Sequence, residues 1–166
     1  SSGSGSTAHL SSELFKSMTG IDIVHVPYKG AGPALTDLVG GQVQIMFTGI
    51  SSTLPYVRAG RLKPLAVSSE KRVPILPEVP AVNEEIAGYE VNTWYGVFAP
   101  TQLPKSIITK LNLTLAKLFG TPDARQRLVA LGAEPVTMSP ENFALAVRRE
   151  TEKWAKVIKE SGTRPE

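Results

Sequence analysis

The residues best suited to chemistry are Gly3-Ser4-Gly5-Ser6-Thr7, small hydrogen-bonding groups directly before an apolar helical pattern of Leu10, Leu14 and Met18 that Gly20 closes. A helix start has unpaired N–H groups and the positive end of the helix dipole, and glycines let an anion approach the backbone closely. The segment reads either as an anion site or as an ordinary Ser/Thr cap. His9 falls in the first turn of that helix and His25 inside an apolar run. For each, a structural role is a plainer reading than a catalytic base or metal ligand.

Other chemistries find little support. No Gly-x-Ser-x-Gly occurs, so a nucleophile elbow is excluded, and no Gly-Lys-Ser/Thr completes a phosphate loop. Gly3-x-Gly5-x-x-Ala8 satisfies the relaxed dinucleotide fingerprint, with Asp22 following it downstream. That acid opens the next strand, whereas the fingerprint needs it at the close of the second strand to reach a ribose. A nucleotide-dependent α/β enzyme using the Gly-Ser loop is therefore the alternative reading. Neither His-x-x-x-His nor a carboxylate cluster suggests a metal, and no cofactor is expected. Without cysteine there is no thiol catalysis and no disulfide.

The 166 residues, 42% hydrophobic, are enough for a core. A net charge of +3 arises from 18 basic and 15 acidic residues mixed along the chain. With no basic block and no aromatic-basic interleave, nucleic acid is not an expected partner. No apolar run approaches the ~20 residues of a membrane-spanning helix. The chain opens without Met, inside the Gly-Ser loop, which suggests a fragment or an internally cut mature protein.

Around the loop, short elements alternate. Ile21–Val26 is a β-branched strand ended by Pro27; Tyr28-Lys29-Gly30-Ala31-Gly32 leads to a helix from Pro33 to Val39; Val43–Phe47 is the next strand. Thr48-Gly49-Ile50-Ser51-Ser52 turns into a helix around Leu54–Ala59, and Leu62–Val67 is another strand. This order is that of a parallel sheet with right-handed crossovers, so the fold class is α/β. From Ser68 to Gly88, Pro74, Pro77 and Pro80 break any period, and the stretch reads as a surface connection rather than a core element.

Val91–Phe98 resumes as an aromatic strand. Helices follow at Pro104–Phe119, with a stripe of Ile107, Ile108, Leu111, Leu115 and Leu118, and from Pro122 to a stop at Gly132. A brief strand, Glu134–Thr137, precedes a last helix capped at Ser139-Pro140-Glu141, with Phe143, Val147, Trp154, Val157 and Ile158 on one stripe. These apolar faces need cover, from a further segment, a swapped dimer or a tail that orders on them.

In a parallel sheet, ligands bind where strands end and helices begin. Three segments converge on that edge: Gly3–Thr7, Tyr28–Gly32 and Thr48–Ser52, with Lys29 their one full positive charge. Trp94 and Tyr95 are candidates to wall the cleft, although strand aromatics are commonly core.

The motifs also carry a resemblance. Ser2-Gly3-Ser4-Gly5-Ser6-x-x-His9-Leu10, His25-Val26-Pro27-Tyr28-Lys29-Gly30 and Asp37-Leu38-x-Gly40-Gly41-Gln42-Val43 resemble the periplasmic substrate-binding proteins of the tripartite tricarboxylate transporter family, the Bug receptors. Gly60-x-Leu62-Lys63-Pro64-Leu65-Ala66-Val67, Arg72 with Leu76-Pro77-Glu78-Val79-Pro80, Trp94-Tyr95-Gly96-Val97-Phe98-Ala99-Pro100 and Glu150-x-x-x-Trp154 continue it in order through nearly the whole chain. One departure is Pro80-Ala81, where the family often has Pro-Thr.

The resemblance implies a non-enzymatic, periplasmic receptor of α/β, type II periplasmic-binding-protein-like fold, delivering a small carboxylate to membrane transporter subunits. Residues 1–90 would be most of the ligand-binding domain 2, 91–99 the crossover strand, and 100–166 the largely helical C-terminal part of domain 1. The opening half of domain 1, with a signal peptide before it, would lie upstream of Ser1. Di- and tricarboxylates, acidic amino acids and aromatic acids are the implied ligands. The family's domain 2 carboxylate loop maps to Ser4, Gly5, Ser6 and Thr7. Tyr28, Lys29, Gly30, Thr48 and Gly49 are expected to line the same site, with His9 and Trp94 at its margin.

Overall fold

The computed structural model describes residues 1–163 and builds six α-helices: α1 (Thr7–Thr19), α2 (Ala31–Val39), α3 (Ile50–Arg58), α4 (Lys105–Phe119), α5 (Pro122–Ala130) and α6 (Pro140–Ser161). All six overlap the helices that apolar periodicity and turn residues mark, but α2 begins at Ala31 rather than Pro33 and α3 at Ile50 rather than near Leu54. Ser6 caps α1, and Gly20, at φ 70°, ends it by donating its N–H to Lys16 O at 2.8 Å. Thr121 caps α5 through Ala124 N–H, and Ser139 caps α6 through Asn142 N–H.

The chain divides into two compact units. The first holds Ser1–Thr93 and the chain from Trp154 onward; the second is Trp94–Lys153.

In the first unit the expected strands do not form a ladder, and Val43, Gln44 and Leu62 lie in bends: among the described residues there is one bridge, the parallel pair Val67 and Ala81. Val67 N–H donates to Pro80 O and Val82 N–H to Val67 O, both at 2.9 Å. Ser1 sits in the same relation to residues 26 and 28, donating to Val26 O at 2.9 Å and accepting from Tyr28 N–H at 3.1 Å. The order of helices and extended runs is thus as read, but the parallel sheet is not visible. A strand buried on both faces needs a neighbour along each edge and a layer on each face. Val24, expected inside such a strand, is 83% exposed, and Val26, Ile45 and Leu65 are exposed as well.

The Ser68–Gly88 excursion corrects its own reading as a mere connection. Leu76, Val79 and Ala81 are buried with Leu54 of α3 and Val67, and Ile50, Val57, Val73 and Ile75 pack against them. No periodicity announced this core, because prolines rather than a regular element aim its side chains. Arg72 clamps the excursion by a two-pronged pair with Glu84, Nε to Oε1 and Nη2 to Oε2, each 2.8 Å. Glu84 Oε1 also accepts Ala81 N–H at 2.9 Å, at the start of a single 3₁₀ turn, Val82–Glu84.

Tyr89 closes the unit. Its side chain is fully buried, its hydroxyl donates to Ser11 O at 3.0 Å and accepts from Ser11 Oγ at 2.7 Å, and its ring meets Phe15 edge-on. Ser68 and Val91 exchange two further bonds, Val91 N–H to Ser68 O and Ser68 Oγ to Val91 O, each 2.8 Å.

In the second unit, Trp94, Phe98 and Phe143 form an aromatic cluster with ring centroids 5.2 to 6.5 Å apart. A Cβ at Gly96 would overlap the Phe143 ring, so glycine is required there. Asn112 of α4 donates to Met138 O at 3.0 Å. The expected strands Val91–Phe98 and Glu134–Thr137 form no ladder among the described residues, and Tyr95 is 95% exposed. Ile107, Leu111 and Leu118 of the α4 stripe remain exposed, consistent with a face that needs further cover.

Two outcomes follow. Tyr89→Phe removes the hydroxyl that serves both Ser11 groups and should lower stability by about 1–2 kcal/mol, measured by denaturant unfolding. The Arg72 guanidinium, then the Ala81 N–H, lower the Glu84 pKa from 4.5 to about 2. The stability this gives is present above the ordinary carboxylate range and is lost as pH falls toward 2. Carboxyl NMR titration should place Glu84 there, and Arg72→Met should return it to the ordinary range.

Candidate functional site

The Gly3–Thr7 segment is built by its own small residues and fixed from below by the second loop. Gly3, at φ 140°, and Gly5, at φ 74°, take backbone conformations that side chains disfavour. A Cβ on Gly3 would also come within 3.3 Å of Tyr28 O. Ser6 is a structural cap: its Oγ donates to Gly3 O at 2.7 Å and accepts His9 N–H at 3.3 Å, and its own N–H returns to Gly3 O at 3.2 Å. Among the described residues, the N–H groups of Ser4, Thr7 and Ala8 and the hydroxyls of Ser4 and Thr7 make no hydrogen bond. Three amides and two hydroxyls are thus unpaired at or just before the positive end of α1.

The second loop is joined to the first. Besides the Ser1 pairing with Val26 and Tyr28, Gly30 N–H donates to Ser2 O at 3.0 Å. The Tyr28 hydroxyl donates to Asp37 Oδ2 at 2.7 Å, and this bond raises the Tyr28 pKa. The N–H groups of Tyr28 and Gly30 are therefore taken up in fixing the loops. Lys29 between them is exposed and makes no ion pair among the described residues.

His9 and His25 join the two segments a second time. Their rings stack at 3.7 Å between centroids and 11° between planes. Gly5 N–H donates to His9 Nδ1 at 3.1 Å, so in the neutral ring the proton is on Nε2, which lies 3.8 Å from Glu13 Oε1. His25 Nε2 is 2.6 Å from Ser1 Oγ, a hydroxyl that also bonds Gly3 N–H and Gly3 O. Burial first, then the neighbouring His9, lowers the His25 pKa.

The third expected segment stands apart. Thr48 Oγ1 is 3.3 Å from Ser52 Oγ and Gly49 caps α3, but no hydrogen bond joins either residue to the first two loops among the described residues. Phe47, just before them, meets Phe15 of α1 at 5.8 Å. Trp94 belongs to the aromatic cluster of the second unit. Asp37 entered the sequence reading only as part of a family motif and Glu13 not at all; neither was expected at the site. The nine-residue step from Tyr28 to Asp37 carries no recognisable signal; His9 and Glu13, one helical turn apart, carry a weak one. Two shallow hollows, along α4 at Ser106–Lys117 and between the ends of α1 and α6 near Asp22 and Glu160, include none of the expected binding residues.

Solved structures with the same architecture show what class of protein this is. Rpa4515 of R. palustris with adipate is 42% identical, with a TM-score of 0.88 covering 98% of this chain and 55% of that one. The periplasmic binding protein BugD is 34% identical, with a TM-score of 0.83 and coverages of 98% and 55%. MatC of Rhodopseudomonas palustris with bound malate is 34% identical, with a TM-score of 0.76 and coverages of 93% and 54%. The fold is that of the periplasmic solute-binding proteins, α/β as expected, and these relatives are binding proteins rather than enzymes.

The chain belongs to the tripartite tricarboxylate transporter family receptors, whose family model it matches over residues 1–163. A UPF0065 protein of Pseudomonas sp. (strain P51) is 40% identical over 162 residues, 96% of this chain and 48% of that protein. The chain spans about half the length of curated relatives such as this one. No helix among the described residues is long and apolar enough to cross a membrane.

Because Ser6 satisfies its neighbours on both sides, Ser6→Ala should lower thermal stability by about 1 kcal/mol, read by calorimetric unfolding. A thermal midpoint equal to that of the parent chain would remove the cap.

Proposed function

We propose that this chain is part of a periplasmic receptor that binds a small carboxylate at the Gly3–Thr7 loop and presents it to membrane subunits of a tripartite tricarboxylate-type transporter. The observation that carries this reading is the set of unpaired donors at the start of α1: the N–H groups of Ser4, Thr7 and Ala8 and the hydroxyls of Ser4 and Thr7. A carboxylate accepts such bonds strongly, each charge-assisted bond contributing roughly 1.5–3 kcal/mol, and the helix dipole adds to them. The family match and the adipate and malate of the solved relatives support the ligand class.

Roles within the loop then separate. Ser4 and Thr7 contact the ligand, Gly5 gives the approach, and Ser6 holds the turn. Tyr28 and Gly30 brace it from the second loop, and the exposed Lys29 draws anions in. Thr48 and Gly49, at the start of α3, complete the lining. In the same reading, residues 1–90 form most of one lobe, 91–99 the crossover, and 100–166 part of the other. The relaxed dinucleotide spacing at Gly3-x-Gly5-x-x-Ala8 lacks an acid at the close of the second strand, so the carboxylate reading is the better supported.

Calorimetric titration of adipate and of malate into the full-length receptor tests the assignment. Ser4→Ala and Thr7→Ala should each weaken binding of the better ligand by about tenfold, the equivalent of one hydrogen bond. Unchanged affinity in both variants would remove this loop from the site.

A further inference from the structure

Gly5 contributes an N–H to the same loop, but that N–H is taken: it donates to His9 Nδ1 at 3.1 Å. A backbone amide only donates, so this bond exists only while Nδ1 carries a lone pair. Protonation of His9 replaces the acceptor by a second N–H facing the first. The amide of Gly5 is then released and a positive charge appears within one turn of the unpaired donors of Ser4, Thr7 and Ala8.

We propose that His9 is a positioning residue that couples carboxylate binding to proton uptake: the neutral ring occupies the Gly5 N–H, and the protonated ring releases it to the anion. This rests on the reading of Gly3–Thr7 as the carboxylate loop. By linkage, an anion that prefers the protonated state draws a proton into His9 as it binds.

The surroundings direct that proton to His9 rather than to His25. Two imidazolium rings stacked at 3.7 Å repel, so the pair carries one charge at a time. On His25's side the ring is desolvated, and its Nε2 is already bonded to Ser1 Oγ at 2.6 Å. On His9's side stands Glu13, its carboxylate 3.8 Å from Nε2 and buried, with Lys16 on the same oxygen at 3.1 Å as the opposing charge. Among the described residues, the titratable and charged groups at the stack are Glu13 and Lys16 from α1 and His25 from the run after it. His25 is itself bonded through Ser1 Oγ to Gly3, so the ring that titrates is stacked on one tied to the loop.

The receptor itself, without ligand, gives the first test. Across roughly pH 5 to 8, where histidine titrates, the Gly5 amide resonance should move with the same midpoint as the His9 ring, and in His9→Gln it should not move. A Gly5 amide indifferent to His9 overturns the proposal without touching the carboxylate reading. The second test is adipate titration at pH 7 in two buffers of different ionisation enthalpy. Wild type should take up a fraction of a proton on binding and His9→Gln none. Wild-type affinity should rise about three- to tenfold from pH 8 to pH 6, against a smaller change in the variant that reports the ligand's own protonation. Adipate binding without proton uptake, or equal uptake in both proteins, overturns the coupling alone. Binding of neither adipate nor malate at any pH in wild type overturns the carboxylate reading and the coupling with it, whatever the Gly5 amide does. Should His9→Gln fail to fold, the wild-type resonance and proton count decide the matter by themselves.

Discussion

The backbone of residues 1–2 is hydrogen-bonded to that of residues 26–30, and this pairing is the constraint on which the first loop depends. It brings Tyr28 O within 3.3 Å of where a Cβ on Gly3 would stand, crowding a side chain there, and so fixes where the turn into α1 begins. Ser6 then closes the turn, and the amides that remain unpaired are those a ligand would need. Without the second loop the glycines of the first would have no reason to hold one conformation, since glycine backbone freedom is what folding must overcome.

The helix behind the loop is unusual in what it buries. His9, Ser11, Ser12 and Glu13 are all inside, and each is satisfied: Ser12 by His9 O, Ser11 by Tyr89, Glu13 by Lys16, and His9 by Gly5 and the His25 ring. Among the described residues no buried side-chain polar atom lacks a partner. Such a polar core is stable only when every member is paired, which ties loop geometry to the packing of Tyr89. The proline-rich excursion has a comparable role on the far side of the unit, where Leu76, Val79 and Ala81 seat α3 and thereby the third helix start.

Helices were legible because each carries its own signals: Ser6, Thr121 and Ser139 as caps, Gly20 as a stop, Pro122 at a first turn. The Gly-Ser loop was legible for the same reason, being local. The core of Ser68–Gly88 was not, since apolar residues between prolines have no period to read. The sheet was read from β-branched runs, and these record a preference for pairing that the described residues satisfy only at Val67 with Ala81 and at Ser1 with the second loop.

By itself, the sequence determined the six helices, the anion-ready start of α1 and the family, because caps, periodicity and motifs are properties of neighbours along the chain. Tertiary structure alone decided which of the loop's groups are unpaired, that Ser6 serves the turn while Ser4 and Thr7 do not, and that Tyr28 is held by Asp37. It also decided that His9 stacks on His25 and holds Gly5. Whether a donor is left unpaired depends on which acceptor reaches it, and an acceptor 24 or more residues away is chosen by packing rather than by spacing.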